Sequence, residues 1–383
     1  MIPLAEIDAA HRRIRPHLLA TPVTRDPELG LWLKWENRQV TGSFKPRGAL
    51  NKVLGLGDGE CAAGLVACSA GNHGMGVALA ARARGARVTV YASAHASPLK
   101  VGKMRELGAE VVLVEGDYGA AEATAIRAAS GSGRTFVSPY NDPWVMAGAG
   151  TIALEILEEM DELRPSAVLV PAGGGGLLAG VGSALKQAAP GIRVVAVQSE
   201  ASPYLHEAFH GRDMAAAGER PSLADGLAGP VEPGSATVPI MREVAGDFLL
   251  VTEEEIARAV AHAFRVHGEV IEGAAAVGLA AVLAGRFAPG DATVALVTGG
   301  NIDPDRHRAI VQAGGGAGAG AAGARPQASA SSRSQAIRAS PSSSQRKRQP
   351  QLPSRWPGRF MRASLPRPST SCIGTIAIPA TDW

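Results

Sequence analysis

Apolar positions recur along this chain with two alternating periods. Ile7, Ile14 and Leu18 fall at helical spacing with Arg12, Arg13 and Arg15 between them, which predicts an amphipathic helix over residues 5–19, stopped by Thr21-Pro22. Leu31 to Glu36 alternates like a strand with one face inward, and a helix is expected from about Arg47 to Leu54, ended by a breaker at Gly55 to Gly59. Apolar runs at 64–68, 87–92, 111–114, 135–138 and 167–170 then read as strands. Each is followed by a helical pattern, at 74–84, 98–107, 118–129, 144–160 and from about Leu177. Arg193 to Gln198 is a further strand. Phe248 to Val251 leads into Thr252-Glu253-Glu254-Glu255, a capping-box start for a helix to about Val266, and Thr293 to Val297 closes the series. Repeated strand–helix units with short links predict an α/β fold of open parallel sheets covered on both faces. Such sheets bind ligands at the carboxyl ends of their strands.

Composition changes the picture at the carboxyl end. Beyond Ile310 the aliphatic periodicity stops, and residues 313–383 are rich in Gly, Ser, Pro, Arg and Gln, a composition that buries too little to offset its ordering entropy; a disordered tail is expected there. The net charge of +3 misleads, because that tail holds nine Arg and Lys347 against Asp382. Residues 1–312 are left with 28 basic and 34 acidic side chains, which offer nucleic acid no global basic field. The Arg346-Lys347-Arg348 cluster reads as solvated tail. Length 383 and 46% hydrophobic content suit two domains. Three cysteines without metal spacing (Cys61, Cys68, Cys372) suggest free thiols in a reducing compartment. With neither a signal-like start nor an apolar membrane run, a cytoplasmic protein with no membrane partner is expected.

Four segments carry candidate chemistry. In Thr41-Gly42-Ser43-Phe44-Lys45-Pro46-Arg47-Gly48-Ala49, one lysine lies between an aromatic ring and a proline in mostly apolar surroundings. Burial favours its neutral amine, the nucleophile that forms an imine with a carbonyl compound, although a surface lysine at a helix start has the same sequence. Pro171-Ala172-Gly173-Gly174-Gly175-Gly176-Leu177-Leu178 joins a strand to a helix, where side-chain-free N–H groups can converge on a phosphate; it matches neither a dinucleotide fingerprint nor a Walker loop. Cys68-Ser69-Ala70-Gly71-Asn72-His73-Gly74 offers backbone donors to a carboxylate, or else is a turn capped by Ser69 or Asn72. Val297-Thr298-Gly299-Gly300-Asn301 ends the last strand with a neutral hydroxyl. Together these supply an imine-forming lysine, a phosphate cradle, an anion loop and a hydroxyl, the set a pyridoxal phosphate enzyme needs.

In this order the four segments resemble the serine/threonine dehydratases among the fold-type II (tryptophan synthase β-like) pyridoxal phosphate enzymes, over about residues 5–312. The resemblance implies that Lys45 holds pyridoxal 5'-phosphate as an imine with Phe44 beside it. Asn72 would then bond the ring hydroxyl, Gly173, Gly174, Gly175, Gly176 and Leu177 the phosphate, and Thr298 would face the pyridine nitrogen. Ser69, Ala70, Gly71, Asn72 and His73 would hold the amino-acid substrate. It implies a large domain of residues 1–63 and 139–312, a small domain of 64–138, Lys45 in the cleft between them, and a homodimer. The expected reaction is loss of water from a 3-hydroxy amino acid of the threonine or serine type, giving a 2-keto acid and ammonia. Departures are Pro46 in place of a branched aliphatic residue, and Ala149 where glutamine is common. Glu200 matches one ligand of a cation site found in part of the family, but His206 stands where an acid is expected; a solvated carboxylate is the competing reading. Glu272 matches an acid beside the ring in relatives, or is a helix-start carboxylate.

Two competing functions remain. A racemase on this scaffold needs a second acid–base group opposite Lys45; racemases of the family resemble Ser-Ser-Gly-Asn-His in the anion loop, whereas Ala70 holds the second position here and cannot transfer a proton. A non-catalytic binding scaffold would be expected to lose the lysine or the phosphate loop, and both are present.

Overall fold

The structure, a computed structural model, describes residues 1–290 and 292–316. The amphipathic start forms α1 (Leu4–Ile14), which buries Ile7, Ala10 and Ile14; a short antiparallel hairpin follows, β1 (Val23–Arg25) with β2 (Trp32–Trp35). Then come α2 (Lys45–Leu54), α3 (Asp58–Ala63), β3 (Leu65–Cys68), α4 (Asn72–Arg84), β4 (Val88–Ser93), α5 (Pro98–Glu106) and β5 (Glu110–Val114). The middle of the chain runs α6 (Tyr118–Ser132), β6 (Thr135–Phe136), α7 (Pro143–Glu159), β7 (Ala167–Pro171), α8 (Gly176–Ala188) and β8 (Arg193–Ser199). The last elements are α9 (Tyr204–Phe209), α10 (Thr237–Val244), β9 (Asp247–Val251), α11 (Glu253–His267), α12 (Gly273–Leu283), β10 (Thr293–Val297) and α13 (Pro304–Gly316).

The strands form two sheets, one ordered β1-β2-β10-β7-β8-β9 and the other β5-β4-β3-β6. Every pairing is parallel except β1 with β2, so the expected α/β architecture of parallel sheets holds, with one antiparallel edge strand that three residues were too few to signal. Strands β7 and β10 are buried along their whole length, as strands covered on both faces must be. Because β10 pairs with both β2 and β7, the segments leaving all three carboxyl ends are neighbours: Glu36 to Lys45, Pro171 to Leu177, and Thr298 to Asn301.

Several expectations need correction. Gly55 to Gly59 does not simply break the chain: Gly55 ends α2, but Gly57 starts α3, its N–H held by Glu60 Oε2 at 2.9 Å. Helix α12 is apolar on every side and buried from Gly273 to Val282, so it shows no amphipathic period. Residues 313–316, assigned by composition to the tail, continue α13, whose Ile310 is buried; the disorder expected for 317–383 lies outside the described residues. Cys61 and Cys68 are buried free thiols, while Cys372 lies outside the described residues. Among the described residues no helix is long and apolar enough to cross a membrane.

Candidate active site

Lys45 opens α2, directly after the segment that runs beside the end of β10. Ser43 bridges Gly299, Phe44 N–H donates to the Thr298 carbonyl (3.0 Å), and Gly300 N–H donates to the Gly42 carbonyl (2.9 Å). From the other side α4 presses on the same point. A Cβ at Gly76 would stand 3.1 Å from the carbonyl carbon of Lys45 and from the Pro46 nitrogen, so glycine there lets the two helices meet at the lysine. The Lys45 amine donates to the Pro139 carbonyl (3.0 Å) and lies 5.2 Å from the centre of the Phe44 ring. Burial drives its pKa down to about 8, against the opposing pull of the Glu272 carboxylate.

The segment after β6 joins the lysine to the glycine loop. Its Pro139 accepts from Lys45, and the next residue, Tyr140, lies beneath the loop: a Cβ at Gly174 would come within 2.5 Å of the Tyr140 ring, and one at Gly176 within 2.8 Å of the Tyr140 backbone. Gly173 is backed just as closely by Leu227, and Gly175, at φ +89°, by Thr237. Thr237 Oγ1 donates to the Gly174 carbonyl (2.8 Å), and Tyr140 Oη accepts from Glu232 N–H (3.2 Å). Gly175 begins α8 without a side-chain cap, so the first-turn amides, Leu177 among them, have no partner within the helix. This is a cradle that four side chains would fill, at the positive end of a helix dipole.

The anion loop is built on the same plan. Gly71 begins α4 without a side-chain cap, and its N–H donates to Ser69 Oγ (3.0 Å). Ala70 lines a cavity of about 280 Å³ with Lys100, Asp225, Glu272 and Asn301. Asn72 is engaged at both ends, its Nδ2 donating to Glu272 Oε1 (2.6 Å) and its Oδ1 accepting from Asn301 Nδ2 (2.9 Å). Asn301 also donates to the Thr41 carbonyl (2.7 Å) and accepts from Lys103 Nζ (3.2 Å), so it ties the lysine segment, the anion loop and α5 together. Burial lifts the Glu272 carboxyl to about 7, with Lys100 pulling the other way. The side chain of His73, a residue expected among the substrate ligands, is engaged within the protein. It is buried, with Nε2 against the Val137 carbonyl (2.8 Å), and burial, with the Lys45 charge behind it, pushes its pKa down to about 3; a neutral ring there donates Nε2–H and steadies the strand end that leads to Pro139.

Lys45, Phe44, Asn72, the glycine loop and Thr298 are thus gathered around the carboxyl ends of the strands. Glu200 and His206 are not brought into a ligand set: exposed Glu200 faces Arg220 (3.4 Å), and His206 Nδ1 faces Glu207 (3.1 Å). Among the described residues, the one group of three convergent metal-type ligands contains neither. The contacts of Asn301 and of the 138–141 segment are not assigned by the motifs, because they are made with residues more than 30 positions away in sequence. Among the described residues, buried Ser43 Oγ and Thr41 Oγ1 have no hydrogen-bond partner, and they lie in the lysine segment. Orphaned hydroxyls, an amine driven toward neutrality and a glycine cradle fit a phosphorylated carbonyl compound such as pyridoxal phosphate.

Comparison with known proteins agrees. An L-threonine ammonia-lyase of Thermotoga maritima is 39% identical over 321 residues, covering 82% of this chain and 79% of its own length. The crystal structure of a T.th. threonine deaminase superposes with a TM-score of 0.73 at 38% identity, covering 78% of this chain and 98% of that one. The serine racemase of Dictyostelium discoideum superposes at 0.72 with 32% identity, covering 79% and 99%. Residues 14–299 match the family described as pyridoxal-phosphate dependent enzyme, so the chain is an enzyme and belongs to the pyridoxal-phosphate dependent enzyme family.

Proposed function

We propose that this enzyme is an L-threonine ammonia-lyase that also accepts L-serine, removing water and releasing a 2-keto acid and ammonia. The observation that carries the proposal is Lys45: one buried amine, with its pKa lowered to about 8, set between the glycine cradle and the Thr298 segment. The threonine ammonia-lyase and threonine deaminase relatives support the choice of substrate. In this reading Lys45 holds pyridoxal phosphate through Nζ, with Phe44 alongside. The amides of Gly173 to Leu177 take its phosphate, and Asn72 and Thr298 flank its ring. When bound, the cofactor supplies an electron sink for negative charge at the substrate α-carbon.

The chain's own groups do the rest. Neutral Lys45 Nζ removes the α-proton, because burial leaves the amine basic yet about half uncharged near pH 8. Backbone amides at Ser69 to Asn72 receive the substrate carboxylate at the uncapped start of α4. Thr298 presents a hydroxyl in place of a carboxylate, so the ring nitrogen has no anionic partner there. The same reading divides the chain into residues 64–138 and residues 1–63 with 139–312. The support is that β3 to β6 pair only with one another and all lie within 64–138.

Reaction choice rests on Ala70, which brings no proton to the face opposite Lys45. The test follows keto acid and product chirality together from L-threonine and L-serine. Elimination should dominate, and Ala70→Ser should raise racemisation relative to elimination, because it supplies a hydroxyl on that face. Wild-type racemisation as fast as elimination would assign the chain to the racemases instead.

A further inference from the structure

We propose that Asp26, His262 and His267 form a binding site for one divalent transition-metal ion, with zinc the best-matched, which ties the β1–β2 turn to the carboxyl end of α11. The three ligand atoms, Asp26 Oδ2 and the Nε2 atoms of both histidines, lie within 4.8 Å of one another. They come from parts of the chain 236 and 241 residues apart, and none belongs to the segments that surround Lys45.

The carboxylate is aimed before any ion arrives. Asp26 is fully buried, and its Oδ1 accepts from the N–H groups of Glu28 and Leu29 (2.9 Å each), which leaves Oδ2 pointing at the two imidazoles. His262 Nε2 stands 2.7 Å from it and His267 Nε2 2.8 Å. A tetrahedral ion with ligand bonds of about 2.0–2.1 Å holds its ligand atoms about 3.3 Å apart, so each Asp26–His pair has to open by about half an ångström, and the two histidine nitrogens, within 4.8 Å of each other, to close by at most about 1.5 Å. Two imidazoles and one carboxylate select zinc and its cobalt and nickel neighbours over calcium or magnesium, which prefer oxygen. His267 is 12% exposed and gives a path from solvent; its ring is fixed edge-on to Trp35, with centroids 5.0 Å apart.

Around the ligands the structure provides for the proton exchange that metal binding requires. Without an ion, both imidazoles donate Nε2–H to Asp26, and His262 Nδ1 accepts from the Arg265 guanidinium (3.3 Å). As an ion takes the Nε2 lone pair of each neutral imidazole, the one proton of that ring passes through solvent from Nε2 to Nδ1, so each ring ligates as a neutral imidazole. At His262 the acceptor is Glu28 Oε2, 3.8 Å away and held by Arg265 in a two-bonded ion pair (2.8 and 2.7 Å), so the exposed guanidinium has to withdraw from Nδ1 as Glu28 takes up the new N–H. Glu28 is therefore a positioning residue for the site, of the kind that orients a ligating histidine from behind.

The experiment uses tag-free, cofactor-loaded full-length chain stripped with a chelator, then titrated with Zn2+ alone by calorimetry and with Co2+ alone by its visible absorption. One equivalent per chain should bind, with a rise in Tm. His262→Gln and His267→Gln should each weaken binding about 100-fold, and Glu28→Gln about 10-fold. His267→Gln, at the exposed edge, should leave the Tm of the metal-free chain nearly unchanged, which separates lost ligation from lost folding. Glu200→Gln should change nothing. Failure to take up either ion would overturn the proposal, as would unchanged uptake by the His262→Gln, His267→Gln double variant or uptake abolished by Glu200→Gln.

Discussion

At the scale of single residues, burial sets the chemistry of this protein. Lys45 is the clearest case: its pKa of about 8 means that below pH 8 the neutral fraction falls about tenfold per pH unit. Capture of pyridoxal phosphate by cofactor-free protein, followed as growth of its absorbance band, should accelerate tenfold per unit up to about pH 8 and then level off. Lys45→Ala should show no band at any pH. Glu272 raises the Lys45 pKa, so Glu272→Gln should move the midpoint to lower pH; a midpoint moved upward would contradict the electrostatic account. Arg47, two residues on, is the second case. Its guanidinium is fully buried and forked between two carboxylates, with Nε and Nη2 on Glu36 (2.7 and 2.8 Å) and Nη1 and Nη2 on Glu155 (2.7 and 2.8 Å), while Lys34 reaches Glu155 at 2.8 Å. Arg47→Met would strand two carboxylates beside α2, at a cost of about 3–5 kcal/mol in chemical unfolding. A loss under about 1 kcal/mol would show that water or Lys34 compensates.

At the scale of elements, the site depends on how closely backbones approach. The start of α8 works as a cradle only because Tyr140 and Leu227 lie where side chains on Gly173, Gly174 and Gly176 would stand. Gly174→Ala puts a methyl group 2.5 Å from the Tyr140 ring, next to the carbonyl that holds Lys45. The expected outcome is at least a tenfold loss of cofactor affinity, measured by fluorescence titration, with little loss at Gly191→Ala, where a Cβ meets open space. Equal affinities would show that the ring moves freely and that the cradle is not rigid.

At the scale of the whole molecule, the folded body includes α13. Its Ile310 and His307 are buried, Phe264 of α11 packs edge-on to the His307 ring at 5.3 Å, and Gly314 lies so close to the Ala257 carbonyl that a Cβ would stand 2.4 Å from it. A chain ending at residue 316 should keep the Tm and activity of the full chain. One ending at 303 should lose at least about 2 kcal/mol, since Ile310 alone accounts for that much burial. Thermal unfolding of the two truncations decides, and equal losses would place essential contacts beyond residue 316.

The sequence by itself determined the alternation of strand and helix, the family motifs and their order. Those signals are local: a strand's apolar run, a helix's period, the Thr252 and Glu255 capping box that forms as expected, and glycines whose spacing survives without knowledge of their neighbours. What it could not carry were elements without a period or with too few residues, such as the almost wholly buried α12 and three-residue β1. Nor could it carry roles made by distant partners. That the His73 side chain holds Val137, that Asn301 joins Thr41, Asn72 and Lys103, that Tyr140 lies under the glycines, and that Asp26 meets two histidines 236 and 241 residues away were decided by tertiary structure alone. The physical reason is range: hydrophobic periodicity and turn chemistry act over a few residues along the chain, whereas burial, desolvation and hydrogen-bond pairing act over a few ångströms in space.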